Sequence, residues 1–242
     1  MVNDQAIEKQ TALNTPAMSL DIISIWKTIQ GEGPFAGRSA VFIRLAGCNL
    51  QCQLCDTDYT NNRGMMLVSD IVAMVRELFC HDGCTTRRLP LVVITGGEPF
   101  RQNISRLINA LSLEGFLVQI ETNGTLFPKD AMFFPWHSVT VVCSPKTPMI
   151  DERLLPHISA WKYVVNADEV SKNTGLPLRT LGGSTSVYIA KDIIDGPRDV
   201  YIQPLDEFGT GKNEANLAAA VASVVKFGYI LCLQVHKIAN LK

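Results

Sequence analysis

The sequence predicts an α/β fold built on a barrel of parallel strands, and two observations carry that reading. Short apolar runs rich in β-branched residues alternate with amphipathic stretches, and each run leads into a polar cluster. The runs cover residues 40–45, 91–95, 117–121, 139–143, 161–165, 200–203 and 230–234. Most lack polar alternation, as strands buried on both faces do. Helical spacing appears between some of them. Ser69 opens one helix to about Phe79, with Ile71, Val72, Val75, Leu78 and Phe79 on one face. Residues 104–113 repeat the spacing and stop at Gly115; residues 214–227 do so again and stop at Gly228. Alternating strands and helices imply parallel strands joined by right-handed crossovers. Some crossovers read as short or irregular, notably 166–186.

Composition sets the outer bounds. A chain of 242 residues, 47% hydrophobic, holds one barrel with a sizeable core. A formal charge of −1 with no long run of either sign marks no binder of nucleic acid. No stretch of ~18 apolar residues predicts a membrane span. Residues 1–19 are polar, without the apolar centre of a secretory signal. They are expected to form a poorly ordered extension that touches no motif, before a single domain over 20–242. The cysteines number 7, and an odd count with three crowded into one short loop suits a reducing, cytoplasmic setting rather than a disulfide framework. Cys143 and Cys232 sit in apolar runs and read as buried hydrophobes, and Cys80 and Cys84 as bystander thiols in a loop.

In a parallel barrel the polar clusters share one rim, the C-terminal face where barrel enzymes place their chemistry. They are Arg44 with the cysteine loop, Thr95-Gly96-Gly97-Glu98-Pro99, Glu121-Thr122-Asn123-Gly124, Ser144-Pro145-Lys146, Asn166, Gln203-Pro204-Leu205-Asp206 and Gln234-Val235-His236-Lys237. Within the first, Cys48, Cys52 and Cys55 have the spacing CxxxCxxC. Structural zinc usually takes four protein ligands in two pairs. Three close thiolates instead suit a 4Fe–4S cubane with one iron left open. A zinc site borrowing a remote ligand is the competing reading.

CxxxCxxC after such a strand, followed by the Gly-Gly-Glu-Pro segment, resembles the radical SAM superfamily. The resemblance implies a partial TIM-type barrel and a cluster that binds S-adenosylmethionine (SAM) and splits it to a 5′-deoxyadenosyl radical. Thr28-Ile29-Gln30-Gly31-Glu32-Gly33, Phe42-Ile43-Arg44, Cys55-Asp56-Thr57 and the terminal Gln-Val-His-Lys narrow it. Together they resemble the 7-carboxy-7-deazaguanine synthase family over residues 21–242. That family acts on 6-carboxy-5,6,7,8-tetrahydropterin: a radical ring contraction releases ammonia, regenerates SAM and feeds queuosine and other deazapurine precursors.

The resemblance also implies roles for residues. Thr57 is the protein's Mg²⁺ ligand. Ile29, Gln30 and Gly31 hold the pterin edge through backbone and amide groups. Arg44 pairs with the substrate carboxylate, Thr95 hydrogen-bonds the substrate, and His236 and Lys237 close on it. Leu54, Cys55, Asp56, Gly97, Glu98, Ser144, Pro145 and Lys146 surround SAM, while Gln203, Pro204, Leu205 and Asp206 enclose its adenosine. Glu32 reads either as a substrate contact or as a solvated loop carboxylate, and Glu121 as a SAM contact or a cap on the next turn. A flavodoxin-like electron donor and a homodimer come with the resemblance. A glycyl-radical activating enzyme is the rival enzyme class. An electron-transfer iron–sulfur protein is the non-enzyme alternative, and it lacks a fourth cysteine near the loop.

Overall fold

A computed structural model describes residues 3–12, 18–80, 89–181, 183–190, 196, 198–207 and 209–241. Its strands are β1 Ser19–Ile29, β2 Ser39–Leu45, β3 Gly64–Leu67, β4 Leu91–Gly96, β5 Leu117–Thr122, β6 Val139–Cys143, β7 Ile158–Val165, β8 Asp199–Pro204 and β9 Ile230–Leu231. The helices are α1 Val68–Cys80, α2 Ser105–Leu113, α3 Thr210–Phe227 and α4 Val235–Ile238. One 9-stranded sheet runs in the order β3-β1-β2-β4-β5-β6-β7-β8-β9. From β2 to β9 neighbouring strands are parallel; β1 is antiparallel to both β2 and β3. Among the described residues no helix is long and apolar enough to cross a membrane.

The central strands form where the apolar runs predict them. Val92, Ile94, Val118, Ile120, Val141, Trp161, Val165 and Ile202 are buried in one core with Ile71 and Val75 of α1 and Leu107, Ile108 and Leu111 of α2. The strands β1 and β3, at one end of the sheet, were not legible. In β1 only Leu20 and Ile22 are buried, and β3 buries nothing, so neither shows the continuous apolar run of a central strand. The final strand is shorter than its apolar run suggests. After Cys232 N donates to Ile202 O (2.8 Å), the chain leaves the sheet, and Val235 N donates to Gly31 O (3.2 Å) beyond the end of β1. That bond carries the last segment back to the loop that follows the first strand.

Strand–helix alternation fails in the second half. Between β5 and β8 the described connections contain 3-10 turns, at Ala131–Phe133, Trp136–Ser138, Glu152–His157 and Ala167–Glu169. Aromatic packing covers the core there instead: Trp136 stacks on His157 at 3.7 Å and touches Phe134 at 4.3 Å between ring centroids. Such large side chains bury as much apolar surface as a short helix face.

Residues 3–12 depart from the expectation of a poorly ordered extension that touches no motif. They lie along the cysteine loop, with Glu8 N on Cys48 O (2.7 Å) and Asn3 N on Gln53 O (3.1 Å). The sequence there is mostly polar, and several of those polar groups find partners in the irregular loop between β2 and β3. Cys80 is exposed at the end of α1, and Cys84 lies outside the described residues.

Candidate active site

The C-terminal ends of the parallel strands open into one cavity of about 270 Å³. Its floor is a pair of loops packed backbone to backbone. Gly97 N donates to Leu45 O (3.3 Å) and Glu98 N to Gly47 O (3.1 Å). A Cβ on Gly97 would run into the Gly47 carbonyl, so this approach of the glycine loop to the cysteine loop needs glycine. Behind them the buried Arg101 donates to Ala46 O (3.1 Å) and Gln102 to the same carbonyl (3.1 Å), fixing where the cysteine loop begins.

Cys48, Cys52 and Cys55 are free thiols that line the cavity. Burial pushes the Cys48 thiol up to about 12 and raises Cys52 and Cys55 too. Thiols held protonated are poor free nucleophiles; a metal centre supplies the positive charge that converts them to thiolates. Among the described residues no three His, Cys, Asp or Glu side chains gather to grip one ion. A cubane asks instead for one thiolate on each of three irons, and three cysteines on one loop facing one cavity fit that demand. Lys146, whose Nζ donates to Ser144 Oγ (2.6 Å), adds positive charge beside Cys52. Burial first, and Lys162 second, hold Lys146 below the ordinary lysine range.

Two carboxylates also line the cavity. Glu32, after β1, pairs with Lys162 of β7 and accepts from Gln234 Nε2 (2.8 Å); the two charged side chains are only 12% and 10% exposed. Burial works against both charges, but their mutual attraction prevails: Glu32 is held below the usual carboxylate range and Lys162 above the usual lysine range. The solvated-loop reading of Glu32 is therefore corrected. Glu121 accepts from Gln30 Nε2 (3.0 Å), Gln119 Nε2 (3.1 Å) and Thr95 Oγ1 (3.3 Å). It ties β4, β5 and the loop after β1 together, and caps no turn. Arg44 lies over the Trp26 ring at 5.0 Å, and its buried Nε has no hydrogen-bond partner among the described residues. A Cβ on Gly31 would collide with the His236 ring, which seats the terminal segment on the loop after β1. Lys237 reaches Asp206 (2.9 Å) and, more loosely, Asp56 (3.8 Å), a latch across the rim.

The sequence resembles those of known proteins. The chain is 43% identical over 229 residues to a 7-carboxy-7-deazaguanine synthase of Rhodospirillum rubrum, spanning 92% of this chain and 93% of the relative. It is 36% identical over 242 residues to the enzyme of that name from Rickettsia prowazekii, spanning 97% and 94%. The chain belongs to the 7-carboxy-7-deazaguanine synthase family. Its fold matches the crystal structure of QueE from Escherichia coli with a TM-score of 0.63 at 24% identity, over 89% of this chain and 93% of that one. No family model matches the sequence. As a synthase of this family it is a radical SAM enzyme of the lyase type, and membership implies SAM and an iron–sulfur cluster.

Most site residues anticipated for such a synthase line the one cavity: Ile29, Gln30, Glu32, Arg44, Cys48, Cys52, Leu54, Cys55, Asp56, Thr57, Thr95, Gly97, Glu121, Ser144, Lys146, Gln203, Leu205, Asp206 and His236. Gly31, Glu98, Pro145, Pro204 and Lys237 do not. Gln30 lines it with its polar groups already engaged: Nε2 on Glu121, Oε1 on Glu32 N, and backbone N and O on Arg38 and Gly37. It acts as scaffold there rather than as an open reader of a ring edge. Trp26 and Lys162 also line it and were missed, while Phe42, Asn123 and Gln234, which line it too, stand in segments the sequence singled out without a role of their own. Lys162 sits inside an apolar run; a lone lysine in a strand otherwise read as buried on both faces was the signal for it.

Glu98 is fully buried and turned away from the cavity. Its carboxyl accepts from Phe100 N (3.0 Å), Asn123 N (2.8 Å) and Thr122 Oγ1 (2.7 Å), joining the glycine loop to the end of β5. Burial outweighs these donors and pushes its pKa up to about 7 from 4.5. Between those values the unfolded chain has lost the proton and the folded one keeps it, so stability falls as pH rises, by on the order of 3 kcal/mol. Thermal midpoints of the metal-free protein from pH 4.5 to 7.5 should carry this downward component, and Glu98→Gln, with no proton to lose, should lack it.

Proposed function

We propose that this chain converts 6-carboxy-5,6,7,8-tetrahydropterin to 7-carboxy-7-deazaguanine and ammonia, with a 4Fe–4S cluster on Cys48, Cys52 and Cys55 and a Mg²⁺ ion beside Thr57. The observation that carries it is the cavity itself. Three cysteines line it together with Arg44, whose buried Nε has no hydrogen-bond partner among the described residues. A guanidinium in that state suits a carboxylate, whose two oxygens match its fork. Bound together, cluster and SAM supply the hydrogen-abstracting chemistry. Arg44, braced by Trp26, orients the substrate carboxylate, and Thr57 gives a hard oxygen ligand to a cation that otherwise keeps waters and substrate oxygens. Ser144, Lys146, Gln203, Leu205 and Asp206 flank SAM, and His236 closes the pterin side. Loss of ammonia with ring contraction is redox-neutral overall, so SAM need not be consumed. The reading includes a flavodoxin-like donor, a homodimer and a cytoplasmic location, on the strength of the family resemblance.

Anaerobic incubation with SAM, a reductant and the carboxy-tetrahydropterin tests it. Deuterium on the carbon bearing the carboxylate should appear in recovered SAM, with many turnovers per SAM. 5′-Deoxyadenosine formed in proportion to product would remove this reaction, and activity only toward a protein substrate would favour a glycyl-radical activating enzyme. Thr57→Ala should lower turnover roughly 10-fold or more, the scale for weakened metal binding, with iron content near wild type. If added Mg²⁺ changes the rate of neither protein, the metal role is wrong.

A further inference from the structure

We infer that residues 3–11 form a strap that holds the cysteine loop in its ligating shape, with Gln5 as the central positioning residue. This rests on the reading that Cys48, Cys52 and Cys55 hold the cluster. The loop between β2 and β3 has no strand or helix of its own, apart from single bridging residues, so its backbone polar groups need partners from elsewhere. The strap supplies several of them. Asn3 Nδ2 donates to Cys52 O (3.0 Å) and Asn3 N to Gln53 O (3.1 Å). Glu8 N donates to Cys48 O (2.7 Å), and Ile7 and Cys48 form a parallel bridge. Gln5 does most: its Nε2 donates to Thr57 O (2.9 Å) while its Oε1 accepts from Tyr59 N (2.6 Å). One side-chain amide thus pins the backbone on both sides of Asp58, immediately after the last cysteine and at the proposed magnesium ligand.

The strap is itself anchored to the second motif. Glu8 pairs with Arg101 (3.1 Å) and with Arg63, Thr11 N donates to Arg101 O (2.8 Å), and Gln10 Nε2 donates to Phe100 O (2.7 Å) and Phe127 O (2.8 Å). Arg101 in turn holds Ala46 O at the entrance to the loop. The strap therefore ties the cysteine loop to the turn that follows Gly-Gly-Glu-Pro, on the side away from the cavity. None of these bonds goes to a sulfur, so the strap acts on the loop's shape. A loop ordered before the cluster arrives gives up less entropy on binding it, and a loop that opens rarely releases iron slowly.

The test uses the full chain, Gln5→Ala, and a chain lacking residues 2–11. Hydrogen exchange over residues 48–60 of the metal-free protein is measured first, then iron transfer from the reconstituted protein to a ferrous chelator without oxygen. Losing the hydrogen bonds from the Gln5 amide to this loop, Thr60 Oγ1 to Oε1 (3.3 Å) included, corresponds to roughly ten-fold or more faster local opening. We expect that acceleration in both measurements for Gln5→Ala, with exchange in the parallel strands unchanged, and a larger one for the truncated chain. A peptide of residues 2–12 added in excess should slow iron loss from the truncated chain. Wild-type exchange and iron release in both variants overturn the inference. So does acceleration spread evenly across the barrel in Gln5→Ala, which would make the strap a general fold element. If the wild-type chain takes up no cluster, the cysteine assignment fails, and the exchange measurement still decides the strap.

Discussion

Cys52→Ala is expected to yield a protein that folds but stays colourless after reconstitution and cleaves no SAM. On the proposed assignment each of the three thiolates would carry one iron, and no spare ligand is at hand: among the described residues Cys143 is buried in β6, Cys232 is buried after β9, and Cys80 is exposed at the far end of α1. Loss of an outer-shell partner alone costs 10–100-fold at metal sites, so loss of a ligand should exceed about 100-fold. Cys48→Ala and Cys55→Ala should behave alike. Cys80→Ala should retain wild-type iron and sulfide. Iron lost from Cys80→Ala as fully as from Cys52→Ala would show that the wrong thiols have been assigned.

Lys162→Met is expected to cost roughly 3–5 kcal/mol in denaturant unfolding of the metal-free protein, because it strands the Glu32 carboxylate in a buried wall. Lys162→Met with Glu32→Gln should recover most of that loss, since the penalty comes from an unpaired charge and not from the missing lysine. The pair should also weaken in acid. Glu32 is held below the usual carboxylate range, so its contribution is present above the ordinary glutamate pKa and is lost as pH falls through the lowered one. A single-variant cost below about 1 kcal/mol would mean that the pair is hydrated in solution.

What the sequence by itself determined is local. An apolar run such as Val92-Val93-Ile94 can be satisfied only by burial on both faces, so β4 and its parallel neighbours could be read without neighbours in hand. The CxxxCxxC spacing and the Gly-Gly-Glu-Pro segment identified the chemistry because both are short and contiguous. Strand β1 escaped, since it buries only Leu20 and Ile22 and shows no continuous apolar run. Tertiary structure alone decided which polar residues do scaffold work. Glu98 and Gln30 look like site residues in the sequence, yet their groups are engaged within the protein. Lys162 looks like part of a strand core and sets the charge of the site. Asn3, Gln5 and Glu8 look like solvated tail and hold the cysteine loop. In each case the role is set by a partner many positions away in the chain, 130 for Lys162 and Glu32, and hydrogen-bond pairing over such separations leaves no periodic trace in a sequence.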